Sequence, residues 1–396
     1  MDLNKYANVL IHALKTARRG GKFKRGDNIL ISYDILALPL AEAVYALLVE
    51  QGYNAAQRPY ATENMSKAFY KAASDAQLKH QPPWDKVLNE NLNGLIALRA
   101  PRDLTALKGV DSKRIALAAL ARKPLREILD KREEAGLFGW TLANMPTPEM
   151  AKQARLSPKE YEAQITKACF LNEADPIKKF DEVARGIAQA AKWLSGLPID
   201  TIRTQSKDMD LEITLGDKRK FIGGGGCNVP SFEIFTSPDW RGARGVYYSD
   251  LPSFRSGNYV RGIRLEFKAG RVVKIQAQEG LDFVKKMLAM DAGAARLGEY
   301  SLTDTRFSKI DRFMADTLYD ENFGGRHGNC HVALGASYSD TFTGALSKMD
   351  KAAKKRLGFN QSALHWDLVN TQDKLVTAKL KDGRHMTIYE KGRFKI

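Results

Sequence analysis

The chain has 396 residues, of which 44% are hydrophobic and 27% charged, and its formal net charge is +16. This length exceeds one ordinary hydrophobic core and predicts a globular protein of two or three domains. No run of about 18 apolar residues occurs, which excludes a membrane-spanning helix of ordinary length. Residues 1–20 mix charge into an amphipathic pattern unlike a secretory signal, so we expect a cytoplasmic protein.

The densest basic cluster spans residues 15–25, between the first predicted helix and the first predicted strand. It raises the question of nucleic-acid binding, because Lys and Arg side chains neutralise phosphates. The cluster lacks the interleaved aromatic side chains of a base-stacking platform. A solvated basic surface is therefore favoured, and nucleic-acid binding is kept as a non-enzymatic hypothesis.

The first half of the chain alternates between predicted strands and helices, beginning with a βαβ unit whose helix spans Leu40–Gln51 and ends at Gly52. The predicted strands are Asn28–Tyr33, Tyr53–Arg58, Gly94–Arg99 and Arg114–Ala118. Short apolar runs of this kind are typical of a parallel sheet covered by helices on both faces. No Gly-x-Gly-x-x-Gly sequence follows any of these strands, so no dinucleotide site is predicted.

Two further helices are predicted before the pattern changes. Ser157 begins a capping box whose helix is predicted to continue to about Asn172, and a second helix with one apolar stripe is predicted over 176–196. A Leu-Pro pair then interrupts the helical pattern, and alternation typical of strands follows. The sequence therefore predicts an α/β domain over residues 1–198 and a strand-rich α+β, metal-binding domain over 199–396.

The second half is predicted to contain mostly strands and one long helix. The strands are predicted at 201–205, 209–215, 218–222, 257–268 and 271–277, the last two forming a β-hairpin. A helix is predicted over 281–297, with Gly298 as its C-terminal cap. Glu299 would then follow a rigid helix directly, which restricts its freedom and suits a ligand or a base.

The residues that can carry chemistry also lie in the second half, where two histidines occur among carboxylates. His365 and Asp367 are two positions apart on a predicted extended segment, so both side chains face the same way and can reach one ion. Five motifs follow one another here: Asn228–Pro238 (NVPSFEIFTSP), Leu297–Glu299 (LGE), Thr317–Asn322 (TLYDEN), Cys330–Tyr338 (CHVALGASY) and His365–Asp367 (HWD).

In order and spacing these motifs resemble those of the M29 metallopeptidases, the thermophilic-type aminopeptidases. The resemblance implies the family's fold, two divalent metal ions, short peptide substrates and a homodimer. It assigns the metal ions to Glu233, Glu299, Glu321, His331, His365 and Asp367. Tyr338 matches the family's catalytic tyrosine, and its phenol would donate a hydrogen bond to the tetrahedral oxyanion. Glu299 is our choice for the carboxylate that takes the proton from the attacking water.

The sequence departs from the family pattern between Glu321 and His331, where the intervening residues 322–330 resemble an insertion. This loop leaves the role of Glu321 as a direct ligand open and offers His327 as a competing imidazole. The Cys-His-Val-Ala-Leu-Gly context favours His331. Phe232, directly before Glu233, is a second position where the family's usual residue is not assumed.

The chemistry of the donors agrees with this assignment. Four carboxylates and two imidazoles form a mixed oxygen and nitrogen set that suits zinc, cobalt or manganese, and six donors exceed the four that one zinc ion needs. The three cysteines match neither a disulfide framework nor a CxxC knuckle and are predicted to be reduced thiols. The alternative function is that of a ring-cleaving dioxygenase, in which His331, His365 and Asp367 would hold one non-haem Fe(II).

Overall fold

Residues 1–345 and 349–396 of the chain are described by a computed structural model, and they form helices and strands in both halves. The helices are α1 Leu3–Ala17, α2 Leu38–Glu50, α3 Glu63–Ala72, α4 Asp75–Lys79, α5 Pro83–Asn91, α6 Ser112–Ala121, α7 Lys123–Glu134, α8 Pro148–Gln153, α9 Pro158–Ala168, α10 Pro176–Gly196, α11 Leu281–Leu288, α12 Thr317–Asp320 and α13 Lys351–Arg356. The strands are β1 Asn28–Tyr33, β2 Asn54–Pro59, β3 Gly94–Arg99, β4 Gly139–Asn144, β5 Ile199–Ser206, β6 Asp210–Thr214, β7 Ile222–Gly223, β8 Asn228–Val229, β9 Glu233–Thr236, β10 Asp239–Ser249, β11 Ser253–Arg255, β12 Asn258–Val260, β13 Ile263–Lys268, β14 Arg271–Gln276, β15 Leu297–Thr303, β16 Asn329–Gly335, β17 His365–Asn370, β18 Lys374–Leu380, β19 His385–Glu390 and β20 Arg393–Phe394.

The chain divides into two compact units. The first contains Met1–Glu182 and Gly225–Ser231, and the second contains Val183–Gly224 and Phe232–Ile396. The predicted domain boundary near residue 198 stays a prediction. Within the described ranges, no helix combines the length and the apolar character needed to cross a membrane.

The first unit is built on a parallel sheet with the strand order β2-β1-β3-β4-β8. Its interior strand β1 buries every residue after Asn28, as expected for a strand with helices on both faces. Helix α1 begins at the N-cap Asp2, whose side chain accepts a hydrogen bond from the Lys5 amide, and it packs against α2 and β4. The predicted βαβ unit and α/β class are therefore confirmed.

One predicted strand of this unit is wrong. Residues 114–118 lie in helix α6, which begins after the N-cap Asp111 and continues through an alanine- and leucine-rich segment. Short apolar runs do not distinguish a strand from a helix, and alanine and leucine favour the helix. The strand that pairs with β3 instead is β4, which the sequence did not indicate. Helix α9 has the predicted capping box but ends at Ala168, four residues before the predicted Asn172.

Replacing Ile31 by alanine tests the importance of this sheet. Ile31 is fully buried in β1, so the change removes apolar contacts and leaves a cavity, and we expect a loss of about 2–5 kcal/mol in unfolding free energy. Urea unfolding followed by circular dichroism measures the change. Val49→Ala is the matched control, because Val49 is 51% exposed on α2. An equal shift of the midpoint for both variants would contradict the assigned core.

The second unit contains two larger antiparallel sheets. The eight-stranded sheet has the order β14-β13-β10-β6-β5-β18-β19-β20, and the five-stranded sheet has the order β17-β16-β15-β9-β7. Two buried tyrosines connect these sheets: the hydroxyl of Tyr247 on β10 lies 2.6 Å from the Leu368 carbonyl oxygen, and that of Tyr300 on β15 lies 2.6 Å from Thr204 Oγ1 on β5. The α+β class predicted for this half is confirmed.

Three predicted elements of the second half differ from the structure. Of residues 218–222 only Ile222 lies in a strand, the two-residue β7, and residues 257–268 form two strands, β12 and β13, of which β13 makes the predicted hairpin with β14. Helix α11 ends at Leu288 rather than at 297. Gly298 is consequently not a helix cap, because it lies inside strand β15.

Candidate metal centre

The predicted ligands on strands converge on one face of the five-stranded sheet. Glu233 is on β9, Glu299 on β15, His331 on β16, and both His365 and Asp367 on β17. The strand registers pair Thr303 with Glu233, Ser301 with His331, and Ala333 with Asp367. Since side chains two positions apart share a face, these pairings bring the acidic and imidazole groups together on adjacent strands.

A β-bulge places Glu299 in this arrangement. The register between β15 and β16 shifts between Leu297 and Glu299, so Gly298 is the extra residue of the bulge. A Cβ atom at position 298 would lie only 2.3 Å from the carbonyl oxygen of Ala336, which only glycine avoids. Glu299 is therefore held by a buried strand and a close backbone approach, not by the end of a helix as the sequence suggested.

The first group of potential ligands consists of Glu233, Glu299 and His331, all of them buried. His331 Nε2 lies 3.1 Å from Glu233 Oε2 and 3.1 Å from Glu299 Oε1. Ser301, which the sequence did not single out, donates a hydrogen bond to Glu233 Oε2 at 3.0 Å. Its position two residues after Glu299 on the same strand is the signal that could have identified it.

The second group consists of Glu299, His365 and Asp367. His365 Nε2 lies 3.4 Å from Asp367 Oδ1 and 3.9 Å from Glu299 Oε2. The other ring nitrogen of His365, Nδ1, lies 3.0 Å from the Ala336 carbonyl oxygen, which orients the ring with Nε2 towards the carboxylates. Glu299 belongs to both groups, with one carboxylate oxygen towards each histidine.

Burial and mutual proximity shift the pKa values of these groups. Burial, and after it the nearby Glu233 carboxylate, raise the pKa of Glu299 to about 7 against the opposing hydrogen bond with His331. Burial lowers the pKa of His331, but hydrogen bonds to Glu233 and Glu299 outweigh it and hold this pKa well above its ordinary value. Burial likewise opposes the effect of Asp367 on His365, whose pKa is nevertheless raised to about 9.

The remaining acidic candidate, Glu321, is the C-terminal cap of α12 and is buried. Burial raises its pKa well above the ordinary value, and the charges of Glu233 and Asp367 raise it further. It is thus near the two groups of ligands, but among the residues described it is a member of neither. Its role as a direct ligand stays a prediction.

The loop at 322–330 is held by hydrogen bonds from Asn329. Asn329 Nδ2 donates hydrogen bonds to the carbonyl oxygens of Glu321 and Phe323, at 2.9 Å and 2.7 Å. The competing imidazole, His327, lies with Nδ1 3.3 Å from Asp373 Oδ1 and belongs to neither ligand group within the described part of the chain. His331 is the histidine that the structure places among the carboxylates.

Tyr338 follows β16 and lies beside the second ligand group. Its ring centroid is 4.8 Å from that of His365 and 5.9 Å from that of Phe235. The backbone amide of Tyr338 donates a hydrogen bond to Ser237 Oγ at 2.9 Å, which fixes the chain at this position. The side chain is 41% exposed, so a molecule approaching His365 from solvent would meet the phenol.

The donor set fits a divalent metal ion on physical grounds. Two carboxylates, Glu233 and Glu299, converge within 3.1 Å of the same nitrogen of His331, and negative charges buried together need a cation. His331 Nδ1 is buried without a hydrogen-bond partner among the described residues, so the polar contacts of this ring are directed at the carboxylates. Oxygen and imidazole donors without a thiolate suit zinc, cobalt or manganese.

The family model described as thermophilic metalloprotease (M29) matches residues 1–394, which is nearly the whole chain. The chain is therefore a metallopeptidase, an enzyme that hydrolyses peptide bonds and depends on a divalent metal. The particular family to which it belongs is M29, and the resemblance seen in its motifs is confirmed.

A curated relative in this family is aminopeptidase AmpS of Bacillus subtilis strain 168. It is 25% identical over 415 residues, which cover 99% of this chain and 98% of the relative. Wild-type AmpT from Thermus thermophilus is similar in structure, with a TM-score of 0.77 and 21% sequence identity over 98% of this chain and 99% of AmpT. The predicted class of enzyme, a metallo-aminopeptidase, is thus confirmed by the family and its named members.

A second solved structure has a related fold. The 2,5-dihydroxypyridine dioxygenase of Pseudomonas putida KT2440 matches with a TM-score of 0.52 and 13% sequence identity over 100% of this chain and 98% of that one. At this identity the likeness concerns the fold alone, and one fold can support unrelated chemistries.

Proposed function

We propose that this protein is an aminopeptidase that removes N-terminal residues from short peptides with two divalent metal ions. The observation that carries the proposal is that two ligand groups share Glu299: one with Glu233 and His331, the other with His365 and Asp367. Divalent ions held in this way supply Lewis-acid chemistry, in which a bound water acquires a lower pKa and a carbonyl is polarised. Zinc, cobalt and manganese all suit these donors.

The protein's own residues have separate tasks in this proposal. Glu299 accepts the proton of the attacking water, as a base or as a ligand that alternates between both tasks. The Tyr338 phenol donates a hydrogen bond to the oxyanion that develops on the scissile carbonyl. The 4.8 Å between the ring centroids of Tyr338 and His365 and the exposure of Tyr338 support this role. Glu321 is close enough to Glu233 and Asp367 for their charges to raise its pKa, and we propose it as a further acidic member of the site.

Ring-cleaving dioxygenase chemistry receives less support from the geometry. A mononuclear Fe(II) site needs two histidines and one carboxylate around one ion. Here the two histidines belong to different ligand groups, and each of them is close to Glu299. A site for one iron would leave the buried carboxylates of Glu233 and Glu299 without a function.

Peptide hydrolysis and metal content test the proposal directly. The purified protein, loaded with zinc, cobalt or manganese, is incubated with aminoacyl p-nitroanilides and with short peptides whose N-terminus is free or acetylated. We expect release from free N-termini that stops on chelation and returns with the metal. Release that chelation leaves unchanged, or cleavage of acetylated peptides at the same rate, would contradict the proposal.

The stabilising effect of the metal is expected to grow as pH rises. In the metal-free protein the raised pKa of Glu299, about 7, stabilises the fold below its ordinary value of 4.5, and this contribution is lost as pH rises through 7. The raised pKa of His365, about 9, likewise stabilises the fold below 6.5, and that contribution is lost as pH rises through 9. Divalent ions compete with both protons.

Thermal unfolding with chelator and with metal measures this effect. The gain in Tm on metal addition should increase between about pH 5 and about pH 8, where bound protons are displaced. A gain that is constant over this range would show that these groups are not the ligands.

The proposal has three broader parts: a homodimer, which the resemblance implies, and a cytoplasmic location and no nucleic-acid partner, which the composition favours. Within the described residues none of Cys169, Cys227 and Cys330 forms a disulfide, in keeping with a reducing compartment. Steep salt-dependent binding to nucleic acid, with function retained in Glu299→Gln, would favour the non-enzymatic hypothesis instead.

A further inference from the structure

A short hairpin formed by β11 and β12 carries an arginine to the edge of the candidate metal centre. The turn between the strands consists of Ser256 and Gly257, which have φ values of 48° and 76°, as a two-residue type I′ turn requires. This turn pairs Arg255 with Asn258. The position of Arg255 is therefore fixed by the hairpin rather than by a loose loop.

The hairpin is anchored to the strand that carries two of the ligands. Trp366, which separates His365 from Asp367 and is fully buried, donates a hydrogen bond from Nε1 to Ser253 Oγ at 3.1 Å. Arg255 Cζ lies 5.6 Å from the centroid of the Trp366 ring, within the range of a cation–π contact. Because β17 is the edge strand of its sheet, the hairpin can lie beside the edge that bears Asp367.

The guanidinium group of Arg255 forms no ion pair with a carboxylate in the described part of the chain. Among residues 1–345 and 349–396, no carboxylate lies within 4.0 Å of it, and no hydrogen bond from its side chain is found. Asp367 acts on it only through its charge, and this carboxylate already lies 3.4 Å from His365 Nε2. Its five N–H donors are therefore available to an anion from solution.

Arg255 nevertheless remains open to solvent. Its side chain is only partly buried, while burial lowers its pKa to about 10 against the effect of Asp367. Arg255 directly follows Ser253 and Phe254, two residues that line a small cavity together with Asp367. The hairpin and the ligand strand therefore border a common space.

We propose that Arg255 binds the C-terminal carboxylate of short peptide substrates and so determines a preference for peptides whose C-terminus is free. A guanidinium fork matches a carboxylate in geometry and forms two parallel hydrogen bonds with it. A short peptide has opposite charges at its ends. Its amine belongs at the acidic ligand groups, and its carboxylate at the cation beyond Asp367.

This inference rests on the proposed aminopeptidase function, and it differs from a purely electrostatic role. A guanidinium that only balanced the negative charge of the ligands would affect all substrates alike. A guanidinium that holds the substrate carboxylate discriminates between a peptide acid and the corresponding peptide amide. The discrimination is therefore the property to measure.

The experiment compares kcat/KM for peptide acids with that for the same peptides as C-terminal amides, in a series of two, three and four residues. Charge-assisted hydrogen bonds of this kind lead us to expect a preference for the acid of about tenfold or more, at one length at least, in the unaltered protein. In Arg255→Gln this ratio should fall to within about twofold of unity, mainly through KM. Both substrates are measured on one preparation, so a general loss of activity cancels.

Two further variants make the result unambiguous. Arg261→Gln removes one positive charge from a residue that lies 3.8 Å from Glu279, and it should keep the ratio of the unaltered protein. Arg255→Lys keeps the charge without the fork and should retain part of the preference. Equal kcat/KM for acids and amides at every length, or an undiminished ratio in Arg255→Gln, would overturn the role of Arg255 alone. Failure to hydrolyse acids, amides and p-nitroanilides would overturn the aminopeptidase function as well.

Discussion

Replacing Glu299 by glutamine is expected to lower kcat for peptide hydrolysis by about 10²–10⁴-fold, the usual contribution of a positioned general base. The amide keeps the shape of the side chain but cannot accept the proton of the attacking water. Glu299 also belongs to both ligand groups, so the variant should bind metal more weakly. Steady-state kinetics at saturating metal, beside the metal content of the dialysed protein, separates these two effects.

Glu279→Gln is the matched control for this variant. Glu279 lies outside both ligand groups and its side chain is 53% exposed, so its replacement should leave kcat unchanged. If Glu299→Gln at saturating metal had the kcat of the unaltered protein, Glu299 would be neither the base nor an essential ligand. The presence of Glu299 in both ligand groups would then have to be explained by a role other than catalysis or metal binding.

Tyr338→Phe is expected to lower kcat by about 10²–10³-fold, as the loss of one donor to an oxyanion does in other hydrolases. Two features of the structure indicate that the loss of activity would not result from a disturbed fold. The ring contacts with His365 and Phe235 remain possible for phenylalanine, and the hydroxyl belongs to a side chain that is 41% exposed. Metal content and Tm should therefore stay close to those of the unaltered protein.

Tyr45→Phe is a suitable control, because Tyr45 is 42% exposed on α2, outside the second unit. Kinetics and metal analysis are carried out on both variants. Loss of the metal from Tyr338→Phe would assign Tyr338 to the integrity of the site rather than to catalysis. Unchanged kcat with normal metal content would remove Tyr338 from the proposed mechanism.

Features that depend only on neighbouring residues could be predicted from the sequence. His365 and Asp367 share a face because their strand alternates, and the strand β17 is present as predicted. The βαβ unit at the beginning of the chain was likewise visible from its apolar strand and its helix ending at glycine. Such signals depend on neighbouring residues alone.

Features that depend on partners distant in the chain were not predictable in this way. Gly298 was predicted to be a helix cap. In the structure it is the extra residue of a β-bulge, where the backbone lies close to the carbonyl oxygen of Ala336. Ser301 and Arg255 gain their significance from Glu233 and Trp366, which lie on other strands. Residues 114–118, which lie in helix α6, were wrongly predicted as a strand because a short apolar segment has no period that distinguishes a strand from a helix.

We propose that two ligand groups joined at Glu299 hold two divalent ions that serve peptide hydrolysis. Titration of the metal-free protein with zinc, cobalt or manganese tests this, with bound metal per chain and the release of N-terminal residues measured on the same samples. We expect activity to become maximal as occupancy reaches two ions per chain, and chelation to abolish it. One iron per chain, with no peptide hydrolysis under any metal, would contradict the account.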